Sequence, residues 1–169
     1  MKKYSGFTLV ELMVVVAIAG MAMAFAIPAM GNFIKNERLV TQINTLVGHL
    51  AYARSEAVTR RQQIILCASS NMTSCLGADW ATGWILFIDA DNSSTFTAGE
   101  QVLRAKATLE GSNTLISSTG TMIVYDNRGF SPNSNGVFSL CDDRGAAHVK
   151  SISITNTGRV RRGGSASCT

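Results

Sequence analysis

The sequence predicts an α+β protein in which a long N-terminal α-helix, a membrane anchor followed by an amphipathic half, packs on an antiparallel β-sheet or β-sandwich head. Three observations carry that expectation. An almost unbroken apolar run fills residues 7–30, a stripe of aliphatic residues then recurs at helical spacing, and beyond Arg61 short β-prone runs alternate with Gly, Asn, Asp and Ser. With 169 residues there is room for one globular head after such a helix. The expected order is a leader at 1–6, an anchor helix at 7–30, an amphipathic helix at 31–62 and a β-rich head at 63–169.

The leader is short and basic, with Lys2 and Lys3 ahead of Gly6-Phe7-Thr8-Leu9-Val10-Glu11. A secretory signal peptide puts its small-residue cleavage site behind the apolar core. Here Gly6 stands in front of it, so cleavage between Gly6 and Phe7 leaves the apolar segment attached. About 20 apolar residues span the hydrocarbon core, and this run suffices for an anchor. Glu11 is a lone carboxylate inside it. An ionisable group in lipid needs a neutralising partner. The α-amino group that cleavage creates on Phe7 would lie about one helical turn away, or be offered by a neighbouring subunit. Such pairing fixes the register of an assembly.

Past the anchor, Leu39, Ile43, Leu46, Leu50, Ala53 and Ala57 recur at steps of four and three, with Val40, Val47 and Val58 beside them. Gln42, Asn44, His49 and Glu56 fall largely off the stripe. The stripe is expected to rest on the head's own sheet, because the repeat is short and lacks the flanking charge pairs of a coiled coil. Pro28 is expected to kink or locally melt the helix, with Gly31 and Asn32 adding weakness. Arg60 and Arg61 end the helix, where cations complement its dipole. Strands are expected at 63–67, 83–89, 101–108, 121–126, 136–140 and 149–154, the last with one wet face.

Cys67, Cys75, Cys141 and Cys168 all lie outside the anchor, which suits an oxidising periplasm. Three pairings are open; chain position favours Cys67 with Cys75, closing a small polar loop, and Cys141 with Cys168, tying back the last residues. A zinc site is the weaker reading, since no Cys-x-x-Cys is present. Asp89, Asp91, Ser93, Thr95, Thr97 and Glu100 have the spacing of an EF-hand loop, but Ser94 stands where glycine is needed and strands flank it, which favours an ordinary polar turn. His49 and His148 have no nucleophile in an elbow or triad pattern. No catalytic residue, cofactor or metal is expected.

The tail is the second informative segment. Between residues 144 and 169 stand Arg144, Lys150, Arg159, Arg161 and Arg162, and no Asp or Glu. Arg159 and Arg161 flank Val160 at strand period, so both guanidinium groups are expected on one side, with Gly158 ahead and Gly163-Gly164 behind leaving room for a bulky partner. The planar guanidinium donates bidentately to phosphate. Without an aromatic stacking platform, the nucleic acid that fits is double-stranded DNA gripped by its backbone and not read for sequence. Arg104 and Lys106 alternate on one expected strand and extend the patch if that strand comes near. A solvated strand end and an acidic protein neighbour are the competing readings.

Lys2, Lys3, Gly6, Phe7, Thr8, Leu9, Glu11 and Pro28 together resemble the type IV pilin and pseudopilin superfamily. The resemblance implies a prepilin peptidase cutting after Gly6, methylation of the Phe7 amine, an inner-membrane single-pass protein with a periplasmic head, and polymerisation with other pilins through the N-terminal helices into a filament. Asp79-Trp80, the run from Gly83 to Asp89, and Glu100 to Arg104 look like features shared by FimT-type minor pilins and the H-type pseudopilins of type II secretion. Gly158-Arg159-Val160-Arg161 resembles the FimT signature more specifically, and that type is associated with binding DNA during natural transformation. This resemblance carries a phosphate-contacting role onto Arg159 and Arg161; Arg162, Lys150 and Arg144 are added on charge alone. The alternative is a structural minor pilin or H-type pseudopilin that primes or caps a filament.

Overall fold

In a computed structural model of the chain, residues 6–75 and 79–168 are described, the side chains of residues 28 and 29 excepted. Lys2 and Lys3 lie outside the described residues. The chain divides between Glu37 and Arg38 into two compact units.

Helix α1 (Leu9–Arg60) supplies the first unit and the opening of the second. Thr8 caps its start. Thr8 accepts from the Glu11 amide on its Oγ1 at 3.2 Å and from the Leu12 amide on its carbonyl at 3.2 Å, and Thr8-x-x-Glu11 is the spacing that satisfies orphan amides at a helix start. The helix is continuous through residue 28, so the expected local melting is absent. One missing donor in a run otherwise made of helix-compatible residues removes a single bond, and the remaining ladder carries the helix on.

In the second unit the helix lays Leu39, Ile43, Leu46, Leu50, Ala53 and Ala57 into the core, each nearly or fully buried. Among the described residues eight strands follow: β1 (Gln63–Ala68), β2 (Gly83–Asp89), β3 (Val102–Ala107), β4 (Thr114–Ser117), β5 (Met122–Tyr125), β6 (Gly136–Cys141), β7 (Lys150–Ile154) and β8 (Val160–Arg162). They form two four-stranded sheets, ordered β3-β2-β1-β5 and β4-β6-β7-β8, and every pairing is antiparallel. Strand alternation sends Ile64, Leu66, Trp84, Leu86, Ile123 and Tyr125 of the first sheet, and Phe138, Leu140, Ile152 and Ile154 of the second, into one core with the helix stripe.

The other face of the first sheet is buried too. Ile65, Cys67, Ile85 and Phe87 are covered by Cys75 and Phe96, the latter meeting Phe87 edge-on at 5.1 Å between centroids. The Cys67–Cys75 disulfide pins that cover. A second disulfide, Cys141–Cys168, holds the tail against β6, where Ser167 donates its amide to Ser139 Oγ at 3.2 Å. These are the two pairings that chain position favours.

Two polar residues of the helix act inside the head. Gln42, expected off the buried stripe, is buried: its amide donates to the Glu110 carbonyl at 3.0 Å and accepts from Asn113 at 2.7 Å. His49 accepts from the Trp84 indole at 2.9 Å through Nδ1. A buried indole N–H needs an acceptor, and the helix supplies it.

Candidate functional site

The site is built on a hairpin. Thr155 to Gly158 turn the chain from β7 into β8, with the Gly158 amide donating to the Thr155 carbonyl at 2.8 Å and the Thr155 amide to the Arg159 carbonyl at 3.1 Å. Gly158 is at φ +74°, and a Cβ there would sit 2.2 Å from the Gly129 carbonyl oxygen. The sequence suggested that this glycine and Gly163-Gly164 leave space for a ligand. That expectation fails at Gly158 and Gly164, whereas a Cβ on Gly163 would meet nothing within 4 Å. Gly158 is buried because two turns of the head meet there, and a Cβ on Gly164 would lie 2.9 Å from Val137. Both positions serve close packing.

Register then divides the cations. Ser153 faces Arg161 across the ladder and Ile152 faces Arg162. Paired residues share a face, so Arg161 lies on the side away from the helix and Arg162 on the core side with Ile152. Arg162 bears this out by donating to Asn44 of the helix at 3.0 Å. Arg159, two residues before Arg161, continues the ladder and by alternation shares its side. Arg159 and Arg161 are exposed, and neither makes a side-chain hydrogen bond or ion pair among the described residues. Lys150 sits across from Leu140 on the core-side face, half-buried, beside Arg162 and Asn44. The five-residue cluster therefore splits into Arg159 with Arg161, and Lys150 with Arg162.

Arg144 leaves the cluster. Its guanidinium donates twice to Asp142, through Nε at 2.9 Å and Nη2 at 2.6 Å, and both side chains are largely buried. That guanidinium holds the Asp142 carboxyl below the usual carboxylate range. The charge is compensated by an acid just outside the acid-free window.

Arg104 and Lys106 do not extend the patch. They lie across from Leu86 and Trp84 on the helix-facing side of edge strand β3. Arg104 stacks over Tyr52 at 4.5 Å from the ring centroid, whereas β8 borders the flank of the helix formed by Val47, Ala51 and Val58. The helix separates the two groups. Burial, with Arg104 and Lys106 nearby, lowers the His49 pKa from its ordinary value.

Between that flank and β8 runs a groove of about 560 Å³, with Val47, Ala51, Val58 and Val160 as apolar wall and Arg54 and Arg159 at its margins. Arg54 was missed by sequence reasoning. Its Nε donates to the Gly129 carbonyl at 3.0 Å, and it sat unremarked among helix surface residues. The Asp89, Asp91 and Glu100 carboxylates converge within 4.8 Å of one another. Their acceptor atoms are engaged by the loop's own amides: Ser93 and Ser94 donate to Asp89 at 3.1 and 3.0 Å, Ser93 to Asp91 at 2.9 Å, and Ala90 and Thr97 to Glu100 at 3.0 and 2.8 Å. This is the geometry of a self-satisfied polar turn.

In the first unit, Gly6 and Phe7 precede the Thr8 cap as exposed, non-helical residues. Glu11 occupies the third helical position, where the positive end of the helix dipole faces a carboxylate. The helix is long and apolar enough to cross a membrane.

Two family models match the chain. One, described as Type II transport protein GspH, covers residues 42–158, and the other, described as the prokaryotic N-terminal methylation motif, covers residues 1–27. Two crystal structures of the type IV minor pilin FimU from Pseudomonas aeruginosa strain PAO1 are similar in fold. The first, in space group P21, is 23% identical with a TM-score of 0.61 over 78% of this chain and 92% of that one. The second, in space group P65, is also 23% identical, with a TM-score of 0.59 over 75% and 93%. No curated protein sequence matches the chain significantly.

Proposed function

The chain belongs to the Type II transport protein GspH family, and on that premise we propose that it is a minor pilin or pseudopilin, cut after Gly6 and built through α1 into a filament that starts at the inner membrane. The observation that carries this reading is an apolar helix bare on all sides. Leu9, Val10, Met21, Phe25 and Ile27 are each two-thirds or more exposed, as is Phe7 just ahead of the helix. Nothing in its own chain covers that surface among the described residues, and such a helix requires lipid or the helices of other subunits. Glu11 then has two stabilising influences: the dipole at the helix start in its own chain, and the freed Phe7 amine of a neighbour in the filament. A prepilin peptidase and other pilins are the partners this reading needs.

The test separates processing from assembly. Gly6→Leu is expected to keep the longer, unprocessed chain in the membrane fraction. Glu11→Ala is expected to be processed but to fall out of the sheared filament fraction. Wild-type processing of the first variant, or wild-type incorporation of the second, overturns the respective role.

A second reading, duplex DNA binding during natural transformation, is favoured by one observation: Arg159 and Arg161 are exposed, share a side and are unpaired among the described residues. Two guanidinium groups neutralise few phosphates, so one head binds at the weak, non-specific end, about 10⁻⁴ to 10⁻⁶ M. Many copies along a filament raise the effective affinity. Titration of the full chain in detergent with duplex DNA at two ionic strengths is expected to show salt-sensitive binding that Arg159→Ala with Arg161→Ala abolishes. Undiminished binding by the double variant removes the assignment.

A further inference from the structure

We propose that the open edge of β8 is a docking site for an extended acidic segment of another protein, which adds to the second sheet as its fifth strand. β8 ends the order β4-β6-β7-β8, so among the described residues one side of it has no neighbouring strand. The hydrogen bonds that flank it, Thr155 amide to Arg159 carbonyl and Gly163 amide to Ser151 carbonyl, set which residues face β7. Antiparallel ladders alternate bonded and non-bonded pairs, so with Arg159 and Gly163 bonded, Arg161 is bonded as well. Val160 and Arg162 therefore turn their N–H and C=O groups away from β7. Among the described residues no backbone partner meets them. These groups form the template that an incoming strand uses.

Side chains along the edge select the occupant. Val160 and Arg162 face the helix side, where the groove wall offers Val47, Ala51 and Val58, the last 49% exposed. Arg161 faces the opposite side, and Arg159 follows it by alternation while bordering the groove at its margin. An added strand thus meets one aliphatic position and three guanidinium groups, and the complement is a segment with an aliphatic residue across from Val160 and acidic residues across from the arginines. A second copy of the same edge is excluded by charge, because β8 against β8 sets arginine beside arginine. Neutral strands leave the guanidinium of Arg161 partly desolvated and unpaired.

The test uses the full chain in detergent and a short synthetic peptide alternating glutamate and valine, read by hydrogen exchange of single amides. In the free protein the Val160 and Arg162 amides are expected to exchange fast and the Arg161 and Ser153 amides slowly. The peptide is expected to slow Val160 and Arg162 selectively. Val160→Pro removes one outward donor without touching the β7 ladder and is expected to abolish the effect, while Arg161→Glu weakens peptide binding by about threefold to tenfold through one reversed cross-strand pair. Slow exchange at Val160 and Arg162 in the free protein overturns the open edge. Equal protection by a lysine-valine peptide or by duplex DNA, or equal peptide binding by both variants, overturns the acidic-strand assignment.

Discussion

His49 is the acceptor that fixes the indole of buried Trp84, and it accepts through a nitrogen that protonation would occupy. Burial, then Arg104 and Lys106, hold its folded-state pKa below 6.5. The folded state therefore resists a proton that the unfolded chain accepts. Above the unfolded value both states are neutral and stability is full; as pH falls from about 6.5 through the folded pKa, stability is lost. We predict a thermal midpoint that drops over this interval, and a His49→Gln variant, which keeps an acceptor without titrating, in which the drop flattens. An unchanged pH profile in the variant would locate the titration elsewhere. Gly158 offers a second residue-scale test. Alanine there combines a positive φ with a clash against the Gly129 carbonyl, and the expected cost is about 2 to 4 kcal/mol by chemical denaturation. The sequence marked Gly158 as special but misjudged the reason, since its close neighbour lies 29 residues earlier in the chain (158 − 129). Arg144 was misjudged for a simpler cause: Asp142 stood two residues outside the window in which acids were counted.

At the level of elements, the longer strands were legible because their apolar periodicity is long enough to register. β2 runs over residues 83–89 as expected, and β1, β3, β5, β6 and β7 differ from their expected bounds by a residue or so at an end. β4 was missed. It has four residues and only Leu115 is buried, so it shows no alternation to count. β8 was visible only as the period of two around Val160, and its partner was not. That gap matters most for the site, since register against β7, not spacing within β8, sends Arg162 to the helix and Arg161 away from it. The Cys141–Cys168 disulfide is the device that keeps the residues after Gly164 on the outer side of β6. Replacing both cysteines by serine is expected to lower stability by about 2 to 4 kcal/mol, because the bond closes a loop with a sequence separation of 27. The same change should raise proteolytic cleavage after Arg162, measured by limited trypsin digestion. Cleavage as slow as in the wild type would mean that packing on Val137 and Ser139 suffices.

For the molecule as a whole, one helix carries two jobs that its sequence separates cleanly. Upstream of Glu37 its apolar side chains are exposed; from Leu39 onward they are the centre of the head's core. The change from apolar on every side to apolar on one stripe was readable from the residues alone, because helical period is a local property. The two-sheet arrangement that receives the stripe depends on contacts between distant strands and was open as sheet or sandwich. The division predicts what shortening the chain does. Leu39, Ile43, Leu46 and Leu50 are nearly fully buried, and burial of such side chains contributes about 1.5 to 3 kcal/mol each, or about 6 to 12 kcal/mol together. That sum is comparable with the whole net stability of a domain, about 5 to 15 kcal/mol. A chain beginning at residue 32 keeps every one of these side chains and should stay in solution without detergent and unfold in a single cooperative transition. A chain beginning at residue 62 loses them, along with the His49 and Gln42 contacts, and should show neither native near-ultraviolet circular dichroism nor a cooperative melt. Cooperative unfolding of the shorter form would mean that the two sheets close a core without the helix, and the helix would then be an appendage of the head instead of its central element.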